Sequence, residues 1–193
     1  MSKLLFSTID VTRQAFYRTP FAFAIVNLKP IVPGHVLVVP TRPAPRLADL
    51  APHEIAELFA GVQHVGRIVE RAYVADALTI ACQDGRAAGQ SVPHVHIHIL
   101  PRRSKGDYFE GRNDEIYPAI ERAEAKLPDH LVLLPSSKNT VESAKIEQKV
   151  ERKSQPLRVD AEENRTPRSE EDMWQEATWL KELSDAERNK RVE

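Results

Sequence analysis

From His94 to Leu100 the chain alternates histidine with apolar residues, His94-Val95-His96-Ile97-His98-Ile99-Leu100. Strict alternation is the signature of a strand, because successive side chains leave an extended backbone on opposite faces. His94, His96 and His98 then share one face, with neighbouring imidazoles ~7 Å apart, while Val95, Ile97 and Ile99 fill the other. Such a strand offers an apolar face to a core and a reactive face to a cleft. A half-buried strand whose polar positions merely happen to be histidine is the bland alternative. It fits poorly, because the chain has only seven histidines and three of them fall on alternate positions of one short segment.

The rest of the pattern builds a sheet around this strand. Phe21 to Val26 and Val36 to Val39 are aromatic or β-branched and bounded by Pro20, the Pro30 to Gly34 segment and Pro40, which predicts two adjacent strands joined by a tight turn. From His53 the period changes: Ile55, Leu58, Phe59, Val62, Val65, Val69 and Ala72 recur at three and four, with Pro52 at the first helical position, so a long amphipathic helix is expected. Ala51 before it has no side-chain oxygen with which to cap that helix. Leu78 to Cys82, read as an interior strand, and Val92 to Leu100 form a second pair, linked by residues 83–90, whose Gly85 and Gly89 permit a sharp reversal. Links this short favour antiparallel pairing, so the fold class is α+β: a mainly antiparallel sheet packed with a long helix. Pro93 cannot donate to a ladder, so either the histidine strand is exposed on an edge there or its ladder begins one residue later.

At 193 residues the chain accommodates one domain and extra tail. We divide it into a domain over 1–135, a disordered charged loop over 136–165, rich in polar residues and free of aromatics, and a carboxy-terminal helix over 166–193. That helix opens on Ser169-Glu170-Glu171-Asp172, a capping pattern, and continues with Met173, Trp174, Ala177, Leu180 and Leu183 at helical spacing. Trp174 and Trp179 are costly to leave in water, which predicts that the helix docks on the domain or on a second subunit. With 27 basic against 28 acidic residues no surplus of positive charge points to a nucleic-acid partner. No apolar run approaches the ~20 residues that cross a bilayer, and the first residues lack a secretory signal, so no membrane association is expected. The single cysteine, Cys82, has no internal disulfide partner and reads as a small buried hydrophobe. The expected compartment is reducing: the cytoplasm, with the nucleus also open.

Two chemistries suit the histidine face. A metal site would use neutral imidazoles, but it needs further ligands and carboxylates that orient the rings. The nearest candidates, Asp84 and Asp107, lie beyond a glycine turn and a loop, and more distant ligands stay open. The alternative is covalent catalysis on phosphorus, for which imidazole is nucleophilic near neutral pH and a good leaving group. Its second ring nitrogen must then hold a proton on an acceptor such as a backbone carbonyl. Gly89, Gln90 and Ser91 just before the strand add close backbone approach and neutral donors, which favours phosphate.

The histidine repeat resembles that of the histidine triad (HIT) superfamily. Its surroundings are similar to the fragile histidine triad branch of diadenosine polyphosphate hydrolases: Phe23-Ala24-Ile25-Val26-Asn27, residues 29–38, Gln83-Asp84-Gly85, Ala88-Gly89-Gln90-Ser91-Val92 and Pro101-Arg102. The resemblance runs from about Phe6 to Tyr117, and residues 165–180 resemble the end of fungal members. It implies the HIT fold as a homodimer sharing an extended sheet, the long helix and a neighbouring strand forming the interface. It implies cleavage of diadenosine triphosphate to AMP and ADP, with tetraphosphate also in view. His96 would be the nucleophile forming a covalent adenylyl intermediate, and His98 would contact the phosphate at the scissile bond. His94 and His35 would complete a hydrogen-bonded chain holding the nucleophile in its reactive tautomer. Asn27 and Gln83 match positions that contact ribose and phosphates, Gly89, Gln90, Ser91 and Val92 match the phosphate-binding loop, and Leu5, Phe6, Ile25 and Leu37 match the adenine pocket. No tightly bound cofactor is implied; a divalent cation, Mg or Mn, would arrive on the substrate's phosphates. A nucleoside phosphoramidase of the same superfamily and a slow-turnover nucleotide-binding signalling module are the alternatives. Asn27 also reads as a turn former, Gln83 and Gln90 as solvated loop residues, and His53, His64 and His130 as surface or helix-face histidines.

Overall fold

The short apolar runs pair as strands in the computed structural model, which describes residues 3–125 and 167–190. The strands are β1 (Leu5–Phe6), β2 (Ile9–Asp10), β3 (Ala15–Arg18), β4 (Ala22–Val26), β5 (Val36–Pro40), β6 (Ala77–Ala81) and β7 (Ile97–Arg102). Strands β1 and β2 form a separate ribbon, and the other five make one antiparallel sheet in the order β3-β4-β5-β7-β6. Among the described residues there are also three α-helices: α1 (Pro52–Ala72), α2 (Ile116–Ala125) and α3 (Glu170–Lys190). The α+β class and the antiparallel sheet agree with the sequence pattern.

Register decides what each face of the sheet carries. Ala24 opposes Val38, and Val38 opposes Ile97, on one face; Ile25 opposes Leu37, and Leu37 opposes His98, on the other. Helix α1 covers the first face with Leu58, Val62, Val65 and Val69, all buried. Gly61 lets it lie close, since a Cβ there would sit 3.5 Å from the Val38 side chain. The missing side-chain cap at Ala51 is replaced by Glu54, whose Oε2 accepts the Ala51 N–H at 2.9 Å and pairs with Arg42. Those contacts bring the Glu54 carboxyl down to about 2. At one end of the opposite face, Ile31, Val32, Leu100, Phe109, Ile116, Ala119 and Ile120 form a smaller core with α2.

Several expectations are corrected. β4 and β5 are adjacent, but residues 27–35 between them form a long loop and not a tight turn, because this segment wraps over the sheet end to bury Ile31 and His35. The stretch from Leu78 is an edge strand, not an interior one: β6 pairs only with β7, and Ile80 is 50% exposed. The histidine strand is interior, between β5 and β6, and its ladder begins at Ile97, so Pro93 is accommodated before the ladder and not on an edge. β6 and β7 are antiparallel neighbours, but residues 82–96 join them as a structured loop. Cys82 is only half-buried; its thiol is nevertheless pushed up to about 11, chiefly by burial, and stays protonated.

Helix α3 begins as its capping pattern suggests, with Ser169 Oγ accepting the Asp172 N–H at 3.0 Å. Met173, Ala177 and Leu180 are its buried contacts with the domain, against β3, β4 and α1. The tryptophans are less buried than these: Trp174 and Trp179 remain 42% and 41% exposed, although the Trp179 ring meets Tyr73 at the end of α1 edge-on, centroids 5.4 Å apart. The segment 136–165 and His130 lie outside the described residues. Among the described residues no helix is long and apolar enough to cross a membrane.

Candidate active site

The sheet face that carries His98 gathers four buried histidines, and their partners determine where the protons lie. Ser7 donates its backbone N–H to His94 Nδ1 at 2.9 Å, so that nitrogen must be unprotonated. His94 Nε2 faces the Pro40 carbonyl at 2.9 Å, which can only accept, so Nε2 carries the proton. The ring is neutral, and burial, reinforced by His96 nearby, brings its pKa down to about 4.

The same logic applies one step along the chain. His96 Nδ1 lies 2.8 Å from the His94 carbonyl oxygen and donates to it, which leaves the lone pair of His96 on Nε2. An imidazole held this way presents a nucleophilic nitrogen, and the cation formed on attack keeps its Nδ1–H on a carbonyl dipole. Phe6 of the β1–β2 ribbon walls the pair in, stacked on His94 with centroids 5.8 Å apart and edge-on to His96 at 5.2 Å.

His98 is held by a different chain. Ile31 donates its N–H to His35 Nδ1 at 3.3 Å, so His35 carries its proton on Nε2, which lies 2.9 Å from His98 Nδ1. His98 therefore accepts on Nδ1 and bears N–H on Nε2, the state that donates to an oxyanion. The rings of His96 and His98 meet at 5.1 Å, nearly perpendicular. The His94 carbonyl orients the His96 ring, and His35 orients the His98 ring.

The loop residues divide by what holds them. Asn27 is buried, with Oδ1 accepting the Lys29 N–H at 2.9 Å and Nδ2 lying 3.5 Å from His35 Nδ1, the ring nitrogen that accepts. It shapes the turn and braces His35. The Gln90 side chain is held by the scaffold: Oε1 accepts the Gly85 N–H at 3.1 Å and Nε2 donates to Pro45 O at 3.0 Å. Gln83 differs, for its buried Oε1 has no hydrogen-bond partner among the described residues. Its amide packs on Gly89, where φ is +91° and a Cβ would come within 2.4 Å of Gln83 Nε2. Ser91 is half-buried at the end of this loop and Val92 is buried.

Ile25 and Leu37 share the face of His98 by register. Phe6 is buried against the histidines, whereas Leu5, next to it on a strand, is 40% exposed. Asp84 and Asp107, the carboxylates nearest the histidines in sequence, are committed to arginines, Asp84 to Arg46 and Asp107 to Arg102 at 2.8 Å. Among the described residues no three His, Cys, Asp or Glu side chains converge to hold a metal. The groups that sequence reasoning missed are backbone ones, the Ser7 and Ile31 N–H and the Pro40 carbonyl, which leave no residue-type signature.

Residues 9–105 match the model of the HIT domain. The chain belongs to the HIT family. Over 181 residues, 93% of each chain, it is 44% identical to the asymmetrical bis(5'-nucleosyl)-tetraphosphatase of Schizosaccharomyces pombe. Over 121 residues, 63% of this chain and 66% of the relative, it is 51% identical to a bifunctional bis(5'-adenosyl)-triphosphatase/adenylylsulfatase of Arabidopsis thaliana. The solved NitFhit protein of C. elegans superposes with a TM-score of 0.62 at 33% identity, covering 94% of this chain and 30% of that one. The HIT match includes His35, His94, His96 and His98 and the loop before them, while α2 and α3 lie beyond it.

Proposed function

We propose that this HIT protein hydrolyses dinucleoside polyphosphates asymmetrically, converting diadenosine triphosphate to AMP and ADP with His96 as nucleophile. The observation that carries the reading is the His96 tautomer: Nδ1 is tied to the His94 carbonyl and the lone pair is on Nε2. Attack of Nε2 on the α-phosphorus forms an N–P bond and breaks the P–O bond to ADP, whose developing charge receives the His98 Nε2–H. Water then attacks the adenylyl-histidine, AMP leaves with the new hydroxyl, a proton goes to solvent and His96 returns neutral. The substrate class is supported by the relatives named above, one a tetraphosphatase and one a triphosphatase. In this reading Gln83 Oε1 accepts a ribose or protonated phosphate oxygen, and Ile25 and Leu37 form the apolar floor for adenine. A divalent cation, Mg or Mn, enters with the phosphates.

Product analysis tests the reading. Wild-type protein should release AMP and ADP from diadenosine triphosphate, and AMP and ATP from the tetraphosphate. His96→Ala and His96→Asn should release none, and turnover in either variant refutes the assignment. We further propose a homodimer that extends the sheet through β6, whose outer edge is unpaired and whose Ile80 is half exposed. Light scattering of wild type and Ile80→Lys distinguishes a dimer from a monomer.

A further inference from the structure

Helix α3 lies outside the matched HIT domain, yet it is tied to the loop that carries His35. Just before the helix, Arg168 donates its backbone N–H to the Leu28 carbonyl at 3.1 Å. Its guanidinium pairs with Glu176, one turn into α3, and reaches the Asp172 carbonyl at 3.0 Å. Both charged side chains are almost wholly buried, so the pair is a fixed strut and not a surface ion pair. The other Glu176 oxygen accepts the Tyr73 hydroxyl, at the carboxy-terminal end of α1. Burial and the Glu176 carboxylate raise the Tyr73 phenol, so it stays a donor. The Tyr73 ring in turn fills the space beneath Gly34, where a Cβ would lie 2.4 Å from a ring carbon and φ is +79°.

These contacts grip the loop 27–35 at both ends, at Leu28 and at Gly34. Ile31 lies between these two grips and Asn27 and His35 flank them; Ile31 and Asn27 contact the His35 ring, which sets the proton on His98. We propose that Arg168, Glu176 and Tyr73 form a clamp through which the carboxy-terminal helix positions His35, and hence the His98 donor. They are positioning residues and touch no reacting atom. The clamp predicts that its loss slows the chemical step and leaves substrate binding nearly unchanged, because the adenine floor at Ile25 and Leu37 is held by the β4–β5 ladder, which the clamp residues do not join.

The effect on turnover rests on the proposed hydrolysis, so the test includes a readout that does not. Arg168→Ala, Arg168→Lys, Tyr73→Phe and wild type are compared on diadenosine triphosphate alongside thermal melting. Arg168→Ala should lower kcat about tenfold with KM within about twofold, and Arg168→Lys, which can still pair with Glu176, should recover part of the loss. Tyr73→Phe keeps the ring beneath Gly34 and the fold, and should lower kcat about threefold. Imidazole nitrogen NMR of the same proteins should show the His35–His98 tautomer pattern perturbed in Arg168→Ala and Tyr73→Phe. Unchanged kcat and unchanged imidazole signals in folded Tyr73→Phe and Arg168→Ala overturn the clamp, even where melting temperatures fall. Should wild type itself fail to turn over, the hydrolase reading falls and the imidazole signals alone decide the clamp.

Discussion

The environment of His94 makes a stability prediction with a defined sign. The ring is fully buried and its pKa is about 4, against 6.5 for an ordinary histidine. Below pH 6.5 the unfolded chain binds a proton on this residue that the folded chain refuses until about pH 4. Its contribution is therefore complete above pH 6.5 and is lost as pH falls through that window. Integrating the two titrations gives a loss of about 2 kcal/mol between pH 7 and pH 5 from this group alone. Carboxylates such as Glu54 also destabilise the fold in acid, so the measurement must be differential. Urea unfolding of wild type and His94→Gln, followed by circular dichroism at pH 7, 6 and 5, isolates the term. The substitution leaves the backbone carbonyl that holds His96. Wild type should be the more stable at pH 7, and its advantage should shrink by about 2 kcal/mol at pH 5. Parallel curves, with the advantage constant to within about 0.5 kcal/mol, would refute the view that His94 is folded in as a neutral ring.

Other substitutions separate the donor, the loop and the helix. His98→Asn removes the Nε2–H held by His35 and should lower kcat by about a hundredfold or more, measured on diadenosine triphosphate at saturation. Gln90→Ala leaves the Gly85 N–H without its acceptor and should lower unfolding stability by about 1–3 kcal/mol, with a rise in KM if the loop binds phosphate. Gly89→Ala places a Cβ against Gln83 at a left-handed φ and should cost about 1–3 kcal/mol in urea melts. Leu180→Ala should cost about 2–5 kcal/mol, whereas Trp174→Ala, on the exposed side of α3, should cost less; equal losses would contradict the observed docking face.

What was legible in the chain is what periodicity encodes. The change from period two to period three-and-a-half located α1 from Pro52, and the alternation around His96 placed His98 opposite the α1 face. Helix α3 shows where such reading was misapplied. Met173, Ala177 and Leu180 fall at intervals of four and three, and they are the buried stripe. Trp174 and Trp179 lie off that stripe. Their size suggested docking, but phase along the helix decided it. Strand order lies outside this logic, since β6 and β7 would show the same local pattern as interior or edge strands. Only the pairing of β7 with β5 makes β6 the edge.

Two glutamines of one loop make the remaining limit concrete. Gln83 and Gln90 carry the same amide and flank the same glycines, yet one side chain stitches Gly85 to Pro45 and the other keeps a buried oxygen without a hydrogen-bond partner among the described residues. The difference arises from the direction the backbone takes through positive φ at Gly85 and Gly89, which residue identity permits but does not specify. The histidines extend the point to chemistry. Their types and spacing announced a reactive face, but what suits His96 to the proposed role of nucleophile and His98 to that of donor is proton placement. Backbone groups impose that placement: Ser7 and Ile31 as donors, Pro40 and the His94 carbonyl as acceptors. The roles of two otherwise equivalent imidazoles are thus assigned by the fold that surrounds them. That is why a distant strut such as Arg168 with Glu176 can matter to a reaction it never touches.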